Sequence, residues 1–359
     1  MIKIGFCIRN LYLGGIEKLL SELILSLYQE NKYEISLLTK EKTDTYLFNL
    51  VKDKVKIFYL VENNSKKTFL SKFISSIKKR KRLYEFSKNL DIVIDFSNGD
   101  FYNYVRRIQN KKKIVFIHSS YEFLKNTTPV EKILSKYDII VTAGIGVFKE
   151  MAKNNIKNLY NLENMVDYSN IEKKLKEKLD INFEIKENYF LTVCRLYEKH
   201  KDVKTLIEAF SLYTGDEKLI IVGEGPDRKN LEKLTKEKKL ENRVIFLGAI
   251  TNPFVLMKNA KIFILSSKVE GFGLVLVEAL YCGTKVISSD CPVGPKEILE
   301  NGEIGELFET GNPRDLLEKL NTSISKKYDN DKIRNSLDKY SKENYIIGFN
   351  NLINKVLFN

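Results

Sequence analysis

Between Lys268 and Leu299 the chain reads KVEGFGLVLVEALYCGTKVISSDCPVGPKEIL. Just ahead of it stands IFIL, Ile262 to Leu265, a short apolar run of the kind that forms a buried strand. Leu274 to Cys282 then predicts a helix with an apolar face, opened by Gly271-Phe272-Gly273. A glycine-opened helix start presents N–H groups that no earlier turn can satisfy, together with the positive end of the helix dipole. Both suit a negatively charged ligand. Glu270 and Glu278 stand eight residues apart. On a helix that spacing spans about two turns along one face. Both carboxylates can therefore line one cleft at different depths, one at the reacting end of a long ligand and the other at a distant hydroxyl.

The pattern around this stretch is α/β. A chain of 359 residues, 43% apolar, is too long for one compact core of ordinary size, which points to two domains. In the first half the strand candidates are IKIGFCI, YEISLLT (Tyr33 to Thr39), VKIFYL from Val55, DIVIDF from Asp91, KIVFIH from Lys113 and DIIVTA from Asp138. Helical stretches lie between most of them, the first from Ile16 to about Tyr28. Such alternation argues a parallel sheet covered on both faces. NLYNLENMVD then leads into the lysine-rich EKKLKEKLDINFEIKEN, which reads as linker and outer surface. The second half restarts the pattern with YFLTVCRL, KLIIVG, RVIFLG, AKIFIL and TKVISSD. Two Rossmann-like domains with a cleft between them are expected, 1–166 and 167–339, followed by a helix candidate over 340–359.

The net charge of +13 is unevenly spread. Met1 to Val166 carries 29 Lys and Arg against 17 Asp and Glu, whereas Asp167 to Asn359 carries 31 against 30. A one-sided basic field calls for an anionic partner in the first half, phospholipid or nucleic acid. Cys7, Cys194, Cys282 and Cys291 are widely spread with no C-x-x-C pair, so neither disulfides nor structural zinc is indicated and a reducing, cytoplasmic setting is expected. MIKIGFCIR is a short strand ending in a charge rather than the apolar core of a signal peptide, and no run reaches the ~18 apolar residues of a membrane span. Asp329-Asn330-Asp331 has the form of a metal-binding Asp-x-Asp, but it sits in a polar stretch and reads as solvated loop, so no metal site is expected.

Several further motifs occur in order: GGIEK at Gly14, IHSS at Ile117, NMVD at Asn164, CRLYEKHKDVKTLIEAF at Cys194, VGEGP at Val222 and FLGAI at Phe246. With the Glu-x7-Glu segment, this series resembles the retaining nucleotide-sugar glycosyltransferases of family 4, across most of the chain. The resemblance implies a GT-B fold, two Rossmann-like domains facing a deep cleft with the final helix crossing back to the N-terminal domain. It implies a nucleotide-sugar donor, with UDP favoured over GDP, and a lipid-linked or polysaccharide acceptor, with no cofactor and no metal. Arg195 and Lys201 correspond to the basic pair on the donor diphosphate; the commoner family spacing would select His200, whereas counting back from LIEAF selects Lys201, with Lys199 as a substitute. Glu270 would lie near the donor sugar and Glu278 on the ribose hydroxyls. The backbone from Gly271 through Phe272 and Gly273 to Leu274 would meet sugar and diphosphate. Gly223 and Ile250 would wall the base pocket, and CPVGPKE would start another helix at the cleft.

In the first half, His118 closes KIVFIH at the strand end where α/β folds place ligands, and by resemblance it points at the transferred sugar and the acceptor. Gly14-Gly15 reads as a tight turn requiring positive φ, to which the resemblance adds approach to the donor phosphates. From Ser65 to Asn89, Leu70, Phe73, Ile74 and Ile77 recur at helical spacing among Lys66, Lys67, Lys72, Lys78, Lys79, Arg80, Lys81 and Arg82. That pattern suits an element lying on an anionic membrane. It fits a cytoplasmic enzyme peripheral to the inner face of the cell membrane. Nucleic-acid binding through the same basic half lacks any recognition motif. A GT-B epimerase or a non-catalytic accessory protein is the alternative within the fold.

Overall fold

The computed structural model describes residues 1–12, 14–61, 69–126, 129–178 and 188–358, without the side chains of 69–74. The chain forms two compact units, Met1–Asn164 with Glu343–Asn359, and Met165–Lys342. The first is built on seven parallel strands: β1 Ile2–Ile8, β2 Tyr33–Glu41, β3 Lys56–Val61, β4 Ile92–Asp95, β5 Lys112–Ile117, β6 Ile139–Thr142 and β7 Leu159–Asn161. Their order is β3-β2-β1-β4-β5-β6-β7. The second unit holds β8 Tyr189–Val193, β9 Lys218–Val222, β10 Val244–Gly248, β11 Ile262–Leu265, β12 Val286–Ser289 and β13 Glu306–Phe308. These six are also parallel, in the order β10-β9-β8-β11-β12-β13.

The strands are apolar on both faces because helices cover both. In the second unit Leu191, Ile220, Phe263 and Leu265 face Leu276 and Leu280, while Phe190, Ile221, Ile262 and Ile264 face Leu206, Phe210 and Leu316. Alternation along each strand thus feeds two separate core layers. The last helix, Lys342–Phe358, belongs to the first unit. Its Phe349 is fully buried and stacks on Phe6 at 6.2 Å and edge-on against Tyr33 at 6.3 Å. Tyr160 donates to the carbonyl of Gly348 at 3.1 Å. The chain enters and leaves the second unit side by side: Val166 N–H donates to the Tyr340 carbonyl at 2.8 Å, and Lys342 pairs with Asp167 at 3.1 Å.

Several details differ from the sequence expectations. Strands β7 and β13 have three residues each, too short to show a period. Asp329 is not a loop residue: it caps the helix Asn330–Leu337, accepting from the amides of Asp331 at 2.9 Å and Lys332 at 3.2 Å. The lysine-rich stretch after Val166 carries the helix Tyr168–Leu175, and the rest of it from 179 to 187 lies outside the described residues. The final helix starts at Lys342, because Asp338–Tyr340 forms a tighter turn that buries the Tyr340 ring.

Phe349→Ala removes a ring that two others touch, and it should destabilise the first unit by about 3–5 kcal/mol. Urea unfolding followed by tyrosine fluorescence measures this; a loss below about 1 kcal/mol would mean the helix contributes little to that core.

Candidate active site

Parallel α/β sheets bind ligands beyond the carboxyl ends of their strands, where strand order reverses. In the second unit that point lies between β8 and β11. Strand β8 runs out into Cys194-Arg195, and β11 into Ser266-Ser267-Lys268-Val269-Glu270. Between these two exits the Lys201 ammonium pairs with the Glu270 carboxylate, at side-chain exposures of 23% and 10%. Ser267 donates its hydroxyl to the same Glu270 oxygen at 2.6 Å. Ser289, at the end of β12, donates to the Ser267 carbonyl at 2.5 Å, and Ser266 donates to the Lys201 carbonyl at 3.0 Å. Burial works against the Lys201 charge, but attraction and hydrogen bonding by Glu270 outweigh it, and the lysine pKa is raised.

A second ion pair braces the first. Lys268 reaches the buried Asp202 at 2.8 Å, and Thr205 donates to the other Asp202 oxygen, also at 2.8 Å. The amides of Lys268 and Val269 both donate to the His200 carbonyl, at 2.7 and 3.3 Å. Of the three candidates for the lysine position, the structure brings Lys201 to Glu270. Lys199 is exposed, and His200 lies edge-on to Tyr197 at 4.8 Å. Arg195 is exposed, its guanidinium 6.0 Å from the centre of the Tyr197 ring, and it makes no carboxylate ion pair among the described residues.

Backbone approach fixes the surrounding loops. A Cβ on Gly223, at φ +140°, would lie 1.8 Å from the Cys194 carbonyl oxygen. One on Gly294, at φ +97°, would lie 1.9 Å from that of Phe272. The VGEGP loop therefore rests directly on the Cys194–Leu196 loop, and CPVGPKE on the Gly271–Gly273 loop, as only glycine permits. The helix Leu274–Tyr281 begins at Gly273, φ +100°, and its first backbone bond runs from Leu276 to Gly273 at 2.8 Å. The amides before that bond have no carbonyl within the helix to receive them. Phe272 is buried edge-on against Tyr340 at 5.2 Å, so only its backbone is placed to meet a ligand. Leu274 and Glu278 are half-buried on the same helix, and Ile250 packs half-buried on the core after β10.

In the first unit strand order reverses between β1 and β4. Gly14 caps the helix Gly15–Glu30 at φ −155°, an extended conformation open to any residue, so the tight-turn expectation does not hold. A Cβ on Gly14 would lie 2.2 Å from the Glu17 carboxylate, the far end of a flexible side chain that could swing aside. Gly15 faces open space. His118 follows β5, buried between Phe96 at 4.8 Å and Phe116 at 6.1 Å, and neither ring nitrogen has a hydrogen-bond partner among the described residues. Burial drives its pKa down to about 3, so the ring is neutral at physiological pH.

Sequence reasoning missed the residues that hold His118 in place. Its amide donates to the Asn98 side-chain carbonyl at 2.6 Å, and Asn98 Nδ2 reaches Ser119 at 3.3 Å. The Asn98 loop is itself organised by buried Asp95, which accepts from the amides of Ser97 at 3.1 Å and Phe101 at 2.9 Å and from the Tyr137 hydroxyl at 2.7 Å. Burial pushes the Asp95 pKa up to about 6. DFSNGD, a strand end running into turn residues, was the available signal for both. Among the described residues no cluster of His, Cys, Asp and Glu could hold a metal.

Residues 173–344 match the family described as glycosyl transferases group 1. A Campylobacter jejuni protein named N-acetylgalactosamine-N,N'-diacetylbacillosaminyl-diphospho-undecaprenol 4-alpha-N-acetylgalactosaminyltransferase is 28% identical, over 95% of this chain and 94% of its own length. A lipopolysaccharide 1,6-galactosyltransferase of Salmonella typhimurium is 29% identical over 84% of this chain and 86% of its own. Among solved structures, the lipopolysaccharide outer core galactosyltransferase WaaB superposes with a TM-score of 0.75 over 99% of each chain at 24% identity. Anabaena HepE, solved with UDP and glucose, gives 0.74 over 99% of each at 20% identity. These likenesses identify the fold as GT-B.

Two measurements test the geometry. A double-mutant cycle on Lys201→Met and Glu270→Gln should give a coupling of about 0.5–3 kcal/mol, since each single change strands a partly buried charge. Additive losses would show that the ion pair contributes nothing. His118 titrates near 3 in the folded chain against an ordinary value of 6.5, so between these values the unfolded chain binds the extra proton. The stability this residue contributes is complete above its unfolded value and is lost as pH falls toward the folded one. Asp95, raised from 3.8 to about 6, works in the opposite sense, gaining stability as pH falls through that range. His118→Gln isolates the first effect: the stability of wild type relative to the variant should decline as pH drops from about 7 to about 4. A pH-independent difference in urea titrations would contradict it.

Proposed function

The chain belongs, through residues 173–344, to the group 1 glycosyltransferases, and from that premise we propose that it is a retaining enzyme transferring a sugar from a UDP-sugar to a lipid-linked or polysaccharide acceptor. The product would be a bacterial-type surface glycan, as the names of the Campylobacter and Salmonella relatives suggest. The observation that carries this reading is the Lys201–Glu270 pair at the strand-order reversal, with Arg195 beside it and the glycine-opened helix start directly after. An ammonium has three donors, and Glu270 takes one of them, which leaves others for phosphate oxygens. The guanidinium of Arg195 offers a planar fork to the same diphosphate. As the glycosidic bond breaks, negative charge grows on the departing diphosphate, and these cations with the helix-start amides would stabilise it most at that moment.

Glu270 is committed to an ammonium and a hydroxyl, which lowers the nucleophilicity of its carboxylate. That favours departure and attack on one face of the sugar, with Glu270 positioning rather than attacking. Glu278 is assigned to the ribose hydroxyls, and Gly223 and Ile250 to the base. Neutral His118, with both ring nitrogens lacking partners among the described residues, suits a hydrogen bond to a sugar or acceptor hydroxyl. Gly14 and Gly15 are kept as the point of backbone approach in the first unit. The phosphates need no metal in this scheme. HepE, which binds UDP, supports the choice of nucleotide.

Action at the inner face of the cell membrane rests on the helix Phe69–Ser87. Leu83 and Phe86 are buried, whereas Ile77 at 53% and Tyr84 at 64% exposure share its outer face with Lys78, Arg80 and Lys81. Seven residues apart, Ile77 and Tyr84 lie about two turns along one stripe, as an interfacial helix requires. The side chains of Leu70, Phe73 and Ile74 and the residues Lys66 and Lys67 lie outside the described residues. Among the described residues no helix is long and apolar enough to cross a membrane.

Thermal unfolding with UDP, GDP and ADP in EDTA tests the donor site. At 100 times its dissociation constant UDP should stabilise the chain by about 2.7 kcal/mol, and Arg195→Ala should abolish the shift. Glu278→Ala should weaken UDP binding, while Glu270→Ala should chiefly lower turnover. A shift with GDP or ADP alone would overturn the choice of nucleotide, and a requirement for divalent ion would overturn the metal-free scheme. On the membrane side, Ile77→Glu with Tyr84→Glu should cut cosedimentation with phosphatidylglycerol vesicles; unchanged binding would remove this helix as the contact.

A further inference from the structure

A solvent-open cavity of ≈ 320 Å³ lies in the first unit, lined by the exposed side chains of Lys112, Asp138, Asn158 and Lys355 over the apolar Ile139, Leu159 and Val356. Lys112, Ile139 and Leu159 are the first residues of β5, β6 and β7. His118 follows the last residue of β5, six positions on, which puts it about 20 Å away at the opposite edge of the same sheet. The cavity is therefore no part of the site described above.

Its charge is unusual for this edge. Along β1 to β3 the lysines at the strand starts each have an acid: Lys3 with Glu34 at 3.7 Å, Lys32 with Glu30 at 3.6 Å, and Lys56 with Glu34. Along β5 to β7, Lys112 and Lys355 make no carboxylate ion pair among the described residues. Lys355 lies 5.6 Å from the centre of the Tyr160 ring. The exposed Lys136 and Lys157 and the half-buried Lys111 stand within two positions of the lining residues and add to the field. Asp138 is accounted for by the sheet: one oxygen accepts the Lys113 amide at 2.7 Å, and its own amide returns to the Lys113 carbonyl at 2.8 Å. Asp91 makes the same clamp on Lys3, with both bonds at 2.8 Å. The acid thus has a structural role, whereas the two lysines facing the cavity have no carboxylate among the described residues to neutralise them.

We propose that this cavity binds a phosphate group, carried either by a small soluble phosphate ester or by a lipid headgroup. Lys112 and Lys355 supply charge-assisted hydrogen bonds to the phosphate oxygens. Asn158 and the second oxygen of Asp138 are placed for a neighbouring hydroxyl, and Ile139 and Leu159 form the apolar floor. The volume lies at the small end of the range for ligand pockets, roughly 300–1,000 Å³, which fits a headgroup or a compact ester. The assignment is independent of the donor chemistry proposed above.

Lysine acetylation read residue by residue by mass spectrometry tests it. With inorganic pyrophosphate at several times its dissociation constant, acetylation of Lys112 and Lys355 should slow about fivefold or more, because the free fraction falls with occupancy. Lys52 and Lys54 should not change, nor should sodium chloride at equal ionic strength reproduce the effect. The protection should persist in Arg195→Ala, which separates it from binding at the donor site. Asn158→Asp keeps both lysines and adds a carboxylate, and it should abolish the protection. Slowing by phosphatidylglycerol vesicles but not by pyrophosphate or phosphatidylcholine would identify the headgroup as the source. No protection by either probe, or equal protection of Lys52 and Lys54, would overturn the proposal.

Discussion

Holding the charges of Lys201 and Glu270 in a largely water-excluded place is the constraint on which the second unit is arranged. Removing two such ions from water costs several kcal/mol each, and their attraction repays this only where the remaining hydrogen-bonding capacity is met. Here the capacity is met by serines that end strands. Ser267 closes on Glu270, Ser289 holds the Ser267 carbonyl, and Ser266 holds the Lys201 carbonyl. Three strand exits, those of β8, β11 and β12, are thereby locked to one pair of charges. Packing alone would fix the sheet. The ion pair fixes where its loops go.

The first unit meets the same demand by a different route. It buries a histidine without a charge and a carboxylate whose pKa rises toward neutrality. Asp95 shapes the turn after β4, the turn presents Asn98, and Asn98 takes the amide of His118. An imidazole kept neutral in this way can both donate and accept, whereas an imidazolium could only donate. The two units therefore carry different chemistry, one cationic and one neutral but polar, each beyond the carboxyl ends of its own parallel sheet.

The alternation of strands and helices was legible because buried parallel strands are largely apolar runs, and eleven strands of four residues or more are found among the described residues. Strands β7 and β13 escaped because three residues have no period to read. Arg195, Lys201 and Glu270 were nameable from motif order, and the structure pairs Lys201 with Glu270. Asn98, Ser267 and Ser289 were not, since a serine or asparagine at a strand end has the same local signal whether it caps a turn or holds a buried carboxylate. Gly14 shows the converse error. Two glycines after a strand read as a left-handed turn, yet the first is extended and the second faces open space.

The charges at the strand-order reversal also explain why one of them matters beyond its exposure. Lys201 is matched by Glu270, and Lys268 by Asp202. Arg195 alone in this group has no carboxylate partner among the described residues, so its charge is not neutralised by the protein itself. Under the proposed function, a diphosphate would meet there a field set by Arg195, by the helix-start amides after Gly273 and by the donors that Lys201 does not spend on Glu270. An arginine suits that position because its guanidinium stays protonated in any surroundings and is more weakly hydrated than an ammonium. A lysine could replace its charge but not its fork, and the paired Lys201 could replace neither without breaking the bond that orders the site.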